Sequence, residues 1–341
     1  MNLHRRSGVA VLGALLLLGC LARLLIAPGV DGHGVGFALP SGEVAPLRMG
    51  AVGSALAAGM CLGLSGLLLQ SLLRNPLAAP FILGLSAGAG LAATSAAWIA
   101  ATMTALSAEW MLFLLAGGSG VIPGTFGALA VLAIVYLLGR RRGVLDPLTL
   151  ILAGTVVATM CGALTLLVQS LMPPASRGES WMWFMGQVPE IPQWPLVFAA
   201  VGLVALIGAI AARLGSALDA ASTSDDEATS LGVSLPRVRL VLFLGAGMLA
   251  AASVALCGPI AFVGFVAPHL ARMLLGARHR ALAIASPLAG GAILVWADAV
   301  RQAIDVGAGR LPIGVLTALL GGPVFLIVMR SYRARPGGWS C

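Results

Sequence analysis

Long apolar runs almost free of charge recur through the whole chain, and they leave few folds open to it. Ten segments, 9–28, 50–73, 79–101, 111–138, 148–171, 195–214, 238–256, 262–276, 282–303 and 313–329, alternate with short polar connections. Most of them match the ~20 residues with which an α-helix crosses a ~30 Å hydrocarbon layer. They lack the two-residue alternation of a barrel strand, and in lipid only helices and closed barrels pair every backbone N–H and C=O. The composition agrees: 9% of residues are charged, against about a quarter in a soluble domain. The expected fold is an all-α integral membrane protein with about ten transmembrane helices, a single transmembrane domain over residues 1–341.

All 20 basic residues are arginine, and the formal net charge is +8. In a soluble chain that excess would suggest nucleic acid. Here the arginines sit in short loops, where they report orientation. With the N-terminus in the cytoplasm, Arg5, Arg6, Arg74, Arg140, Arg141, Arg142, Arg213, Arg237, Arg239, Arg272, Arg278, Arg280, Arg330, Arg333 and Arg335 are cytoplasmic, leaving Arg23, Arg48, Arg177, Arg301 and Arg310. That bias places both termini inside and requires 262–276 to cross despite its shortness. This segment follows Gly258-Pro259 and contains Pro268, and interrupted helices of this kind border the pathway in transporters. The opening run contains Arg23 and no small-residue cleavage site before Pro28, so it reads as a retained first span. The five cysteines form no C-x-x-C pair and read as packing residues. Trp181 to Met185 is an aromatic cluster suited to the membrane interface or a short helix lying on it.

The longest polar interruption in the second half is Leu218 to Arg239, overlapping a cytoplasmic connecting loop of residues 215–237. Ser224-Asp225-Asp226-Glu227 fits a helix capping box, and Gly232 suits the left-handed residue that ends a helix. A helix over Asp225–Leu231 is far below the ~12 residues that are stable alone in water. Something must therefore pack on it.

Several chemistries can be tested against the residues. No H-E-x-x-H occurs among His4, His33, His269 and His279, so no zinc-protease motif is present. A lone histidine such as His269 is no metal site. Gly63-Leu64-Ser65-Gly66 matches the G-x-S-G of intramembrane serine proteases, with His269 as a conceivable base; this remains a remote alternative that needs the two in hydrogen-bond reach. An ion-driven carrier buries charges in mid-span, whereas here Asp298 pairs naturally with Arg301 three residues on, near the outer end. A phosphate-binding G-x-x-x-x-G-K-[ST] loop needs a lysine, which this chain lacks. Any ATP that drives it is used by another subunit.

Four stretches carry a family resemblance: Arg74-Asn75-Pro76-Leu77-Ala78-Ala79-Pro80, Gly258 through Arg272, Leu311-Pro312-Ile313-Gly314, and Gly321-Gly322-Pro323. Over about Arg48 to Arg330 the chain resembles the FecCD-type permease subunits of iron-siderophore, haem and cobalamin ABC importers. The resemblance implies a type II importer permease fold in the inner membrane, not an enzyme, with no cofactor of its own. It implies as partners a second permease subunit in a homodimer or heterodimer, two ATP-binding subunits and a substrate-binding protein outside, with no nucleic acid. The cargo expected is an iron-siderophore complex, with haem or cobalamin as alternatives. Carried over by position, the ATPase-coupling residues are Ser224, Asp225, Asp226, Glu227, Leu231, Gly232 and Arg237. The cytoplasmic gate maps to Asn75, Leu77, Pro147 and Leu148, and binding-protein docking to Arg48, Arg301 and Arg310. The chain departs from the family at Ala51, where a second arginine is usual, and at Arg310, where glutamate is common.

Overall fold

The computed structural model describes residues 3–28, 35–42, 44–102, 120–141, 143–174, 177–178, 183–189, 191, 193–304 and 311–333. They form α1 (Leu3–Leu25), α2 (Val44–Leu73), α3 (Leu85–Thr102), α4 (Val121–Gly139), α5 (Pro147–Leu171), α6 (Trp194–Arg213), α7 (Gly215–Thr223), α8 (Asp225–Ser230), α9 (Leu235–Cys257), α10 (Val263–Leu275), α11 (His279–Ala303) and α12 (Ile313–Arg333). Two small antiparallel pairs, 26–28 with 35–37 and 140–141 with 144–145, close hairpins between helices. Eight helices are long and apolar enough to span a membrane, and α10 and residues 313–327 of α12 are shorter apolar helices. Each of the ten expected segments thus contains a helix, although the first part of 111–138 lies outside the described residues.

Helices α2, α9 and α11 are the core; 78%, 72% and 72% of their apolar windows are buried, against 22% to 28% for α4, α5 and α6. Lipid supplies no hydrophobic drive between helices, so the core depends on close backbone approach. A Cβ at Gly59, Gly63 or Gly66 would lie 2.4, 2.2 or 1.7 Å from the backbone oxygens of Gly290, Ser286 and Gly264. Three glycines along α2 therefore seat α11 and α10.

Two expected segments are reshaped. The third, 79–101, is broken: Pro80–Leu83 forms a 3₁₀ turn, Gly84 takes a φ of 73°, and α3 starts only at Leu85. Proline at the start and a left-handed glycine at the end are the local reasons. The short eighth segment is a 13-residue helix, α10, with Pro268 inside it. At 1.5 Å per residue it spans only ~20 Å. The non-helical residues 258–262 precede it, with Phe262 at a φ of 65°. That stretch is packed inside protein, where irregular backbone at membrane depth is tolerated: Cys257 O accepts from Gln187 N at 2.8 Å, and Gly258 lies against Gly186.

The aromatic cluster folds inward. Of its described residues, Trp183 lies against Gly124 of α4 and Phe184 against Gly90 of α3. Met185 O and Gly186 O accept from Gly314 N and Ile313 N at the start of α12. These contacts hold Trp183, Phe184 and Met185 against α3, α4 and the start of α12.

Candidate coupling site at the polar end of the bundle

Here the polar loop folds into two short helices. α7 carries no capping signal in the sequence; α8 does, and its start is capped as expected, with Ser224 Oγ accepting from Glu227 N at 3.0 Å. Gly232 has a φ of 78° and donates to Thr229 O at 2.9 Å, and Val233 N donates to Ala228 O at 2.9 Å. These bonds pair the last carbonyls of the helix. Ala228 is its one buried residue.

Each short helix is fastened to the bundle by an aspartate. Asp219 of α7 accepts from His279 N at 2.9 Å and lies 2.6 Å from His279 Nδ1, while His279 Nε2 is 2.8 Å from Ser71 Oγ of α2. Asp225, the first residue of α8, is ion-paired to Arg74, and Arg239 Nη2 reaches both its carboxylate oxygens at 2.9 Å. Both arginines also hold backbone. Arg74 Nε donates to Ala221 O at 2.7 Å, and Arg239 Nη1 to Leu145 O at 3.1 Å. Arg74 sits at a φ of 48°, an uncommon left-handed position for a side-chain-bearing residue.

The expected gate residues adjoin this cluster. Directly after Arg74, Asn75 Oδ1 accepts from Leu77 N at 2.9 Å, a turn in which the side chain stands in for backbone. Gln70 Nε2 donates to Ala78 O at 3.3 Å and its Oε1 accepts from Arg272, tying that turn to α10. Pro147 opens α5, capped by Asp146 through Thr149 N at 2.8 Å, and Leu148 is exposed. The two stretches flank one ionic cluster, one through Arg74 and the other through Leu145.

Of the expected coupling residues, Asp225 is an anchor, its carboxylate held by Arg74 and Arg239. Asp226, Glu227, Leu231, Gly232 and Arg237 are exposed, Leu231 to 66%. A large apolar side chain held out on a pinned, capped helix is what a soluble partner can grip.

The opposite end holds a second cluster, and it corrects one expectation. Asp298 is fully buried; it pairs with Arg301 at 2.8 Å, as expected, and also with Arg23 of α1. Arg301 is 5% exposed, so it does not stand on the surface with Arg48 as a docking residue. Arg48 is half-buried and donates to Leu24 O and Ala38 O at 2.7 and 2.8 Å. Arg310 lies outside the described residues.

The protease alternative finds no support. Ser65 Oγ donates to Ala246 O at 2.7 Å in a fully buried position, and the glycines around it are packing contacts. Among the described residues no three His, Cys, Asp or Glu side chains cluster as metal ligands.

Comparison with known proteins accounts for this architecture. The chain is 33% identical over 295 residues to the hemin transport system permease protein HmuU of Yersinia pestis, covering 85% of this chain and 84% of the relative. It is 34% identical over 281 residues to the cobalamin import system permease protein BtuC of Halobacterium salinarum, covering 81% and 70%. To the Fe(3+) dicitrate transport system permease protein FecD of Escherichia coli it is 33% identical over 272 residues, covering 80% of each. A solved inward-facing structure from a metal-chelate type ABC transporter superposes with a TM-score of 0.78 at 27% identity, over 96% of this chain and 99% of the other. The profile of the FecCD transport family matches residues 37–331. A bundle of membrane-spanning helices with no phosphate loop, matched along most of its length by importer permeases, is a transport subunit and not an enzyme: the chain belongs to the FecCD transport family and is a permease subunit of an ABC importer.

Proposed function

We propose that this permease carries an iron-siderophore complex across the inner membrane, worked by separate ATP-binding subunits that grip α8 from the cytoplasm. The observation behind the coupling role is α8 itself: two turns, capped, pinned at its first residue through Asp225, and presenting Leu231 outward at its end. ATP binding and hydrolysis next door move this helix, and the turn at Asn75–Leu77 and the start of α5 at Pro147–Leu148 open or close the path. A second permease subunit completes the pathway, and a substrate-binding protein delivers cargo at the end bearing Arg48. A charge at that rim tunes the rate of encounter more than affinity. An iron chelate fits the Fe(3+) dicitrate relative and the metal-chelate architecture.

The test is uptake into proteoliposomes holding the permease, its ATPase and its binding protein, with ⁵⁵Fe-hydroxamate siderophore, hemin and cyanocobalamin as separate arms. ATP-dependent uptake of the siderophore alone is the expected result; uptake of only hemin or cobalamin would reassign the cargo. Leu231→Asp should abolish uptake and weaken ATPase association without changing the thermal stability of the permease. Wild-type uptake by that variant would remove α8 from the mechanism.

A further inference from the structure

Asp225 lies at the meeting point of three stretches that are far apart in sequence. Arg74, which bonds it, is the residue before Asn75 and also holds Ala221 O at the end of α7. Arg239, which bonds both its oxygens, holds Leu145 O two residues before Pro147. One unbroken chain of hydrogen bonds therefore runs from the first residue of α8 to the turn after α2, and another to the hairpin that leads into α5.

We propose that Asp225 is a positioning hub that divides the movement of α8 between the two gate stretches, Arg74 conveying it to residues 75–77 and Arg239 to residues 145–148. This rests on the reading of the chain as a permease moved by a separate ATPase. It goes further by assigning the arginine-bound start of α8 a task distinct from docking. The two arms differ in kind. The Arg74 arm grips both short helices of the loop, through Asp225 and Ala221 O, so it follows the loop as a unit. Arg239 sits in the first turns of α9, a core helix, so its arm turns against a fixed base. The outward residues Asp226, Glu227 and Leu231 take no part in either arm, so gripping and conveying can be separated by mutation.

The deciding measurement is hydrogen–deuterium exchange on the assembled permease–ATPase complex, without nucleotide and trapped with ATP and vanadate. Peptides covering 225–232, 74–82 and 144–152 are followed. In the wild type all three should respond to trapping. In Asp225→Ala the response should persist at 225–232, where the ATPase still grips, and be lost at the other two. Arg74→Gln should lose it only at 74–82, and Arg239→Gln only at 144–152. Asp225→Glu should restore at least one arm. A general loosening of the fold would raise exchange in both states and could not produce this selective pattern. If Asp225→Ala still passes the response to both stretches, the hub is wrong while the permease reading stands. If wild-type 225–232 itself ignores the nucleotide, the coupling reading falls, and the hub with it.

Discussion

Among the described residues are two Arg–Asp–Arg clusters, one at each end, built from the same side chains. Arg23, Asp298 and Arg301 are withdrawn from solvent, and Arg23 Nη1 and Arg301 Nη2 are buried without a hydrogen-bond partner among the described residues. Arg74, Asp225 and Arg239 stand at the edge of a loop, with the Asp225 side chain 45% exposed and each arginine bonded to a backbone carbonyl as well. In the buried cluster, parting the charges would strand them in a low-dielectric interior, so α1 and α11 are fixed together. In the exposed cluster, water can take over either partner, so the bonds can shift and re-form. Burial, and not composition, decides which cluster is a lock and which is a joint.

The sharpest way to break this contrast is Asp298→Ala. It leaves two guanidinium groups in the interior with no counter-charge, a change that costs about 3–5 kcal/mol in buried pairs of this kind. The expected outcome is a permease that extracts poorly and unfolds at a much lower temperature. Replacing all three residues together, Arg23→Met, Asp298→Leu and Arg301→Met, should recover most of the loss, because well-packed apolar side chains avoid the desolvation cost altogether. Failure of that recovery would mean that α1 needs the ion pair for its register on α11, and not only for neutrality.

A smaller effect is expected at the cap that presents Asp225 to its arginines. Ser224→Ala removes the bond to Glu227 N, which is worth about 1 kcal/mol at a typical helix start. In a six-residue helix the loss is local. Amide exchange at 225–231 should quicken while the unfolding temperature of the bundle hardly moves. If the whole permease softened, α8 would be part of the core stability and the joint reading would weaken.

Most of the frame was legible in sequence because its signals are local. The apolar runs gave the spans, Ser224 and Gly232 gave the ends of α8, and the three-residue spacing gave Asp298–Arg301. The joints were not legible, because they are made by residues brought together only by packing. Arg23 lies 275 residues from Asp298 and Arg74 lies 151 from Asp225, and no periodicity reports such pairs. In sequence Arg74 and Arg239 read only as orientation signals. What the sequence could not show is that the same charges reach back to an aspartate in the loop. Arg301 misled for the same reason: a docking role carried over from the family resemblance expects an exposed rim, whereas packing leaves it 5% exposed beside the Arg23–Asp298 pair. The inward turn of Trp183 and Phe184 likewise depends on the glycines Gly124 and Gly90, which belong to other helices.

The smallest expected change in stability is also the most discriminating. Arg74→Gln deletes one charge from a half-exposed cluster in which Asp225 keeps Arg239, and exposed pairs contribute about 0.2–1 kcal/mol. The unfolding temperature should therefore stay near that of the wild type, in contrast to Asp298→Ala. Coupling should not be spared, because the bond from Arg74 to Asp225 and Ala221 O is the contact between the loop and the turn at Asn75. ATP hydrolysis per molecule of cargo carried should rise while the ATPase stays bound. Added salt should imitate the variant in wild-type protein, since at ~1 M the screening length falls to ~3 Å, and the buried cluster should be indifferent to it. A variant that is stable but wasteful, matched by salt, would show a joint whose small energy is the condition of its movement. A variant that is unstable would make the two ends of the molecule the same kind of lock.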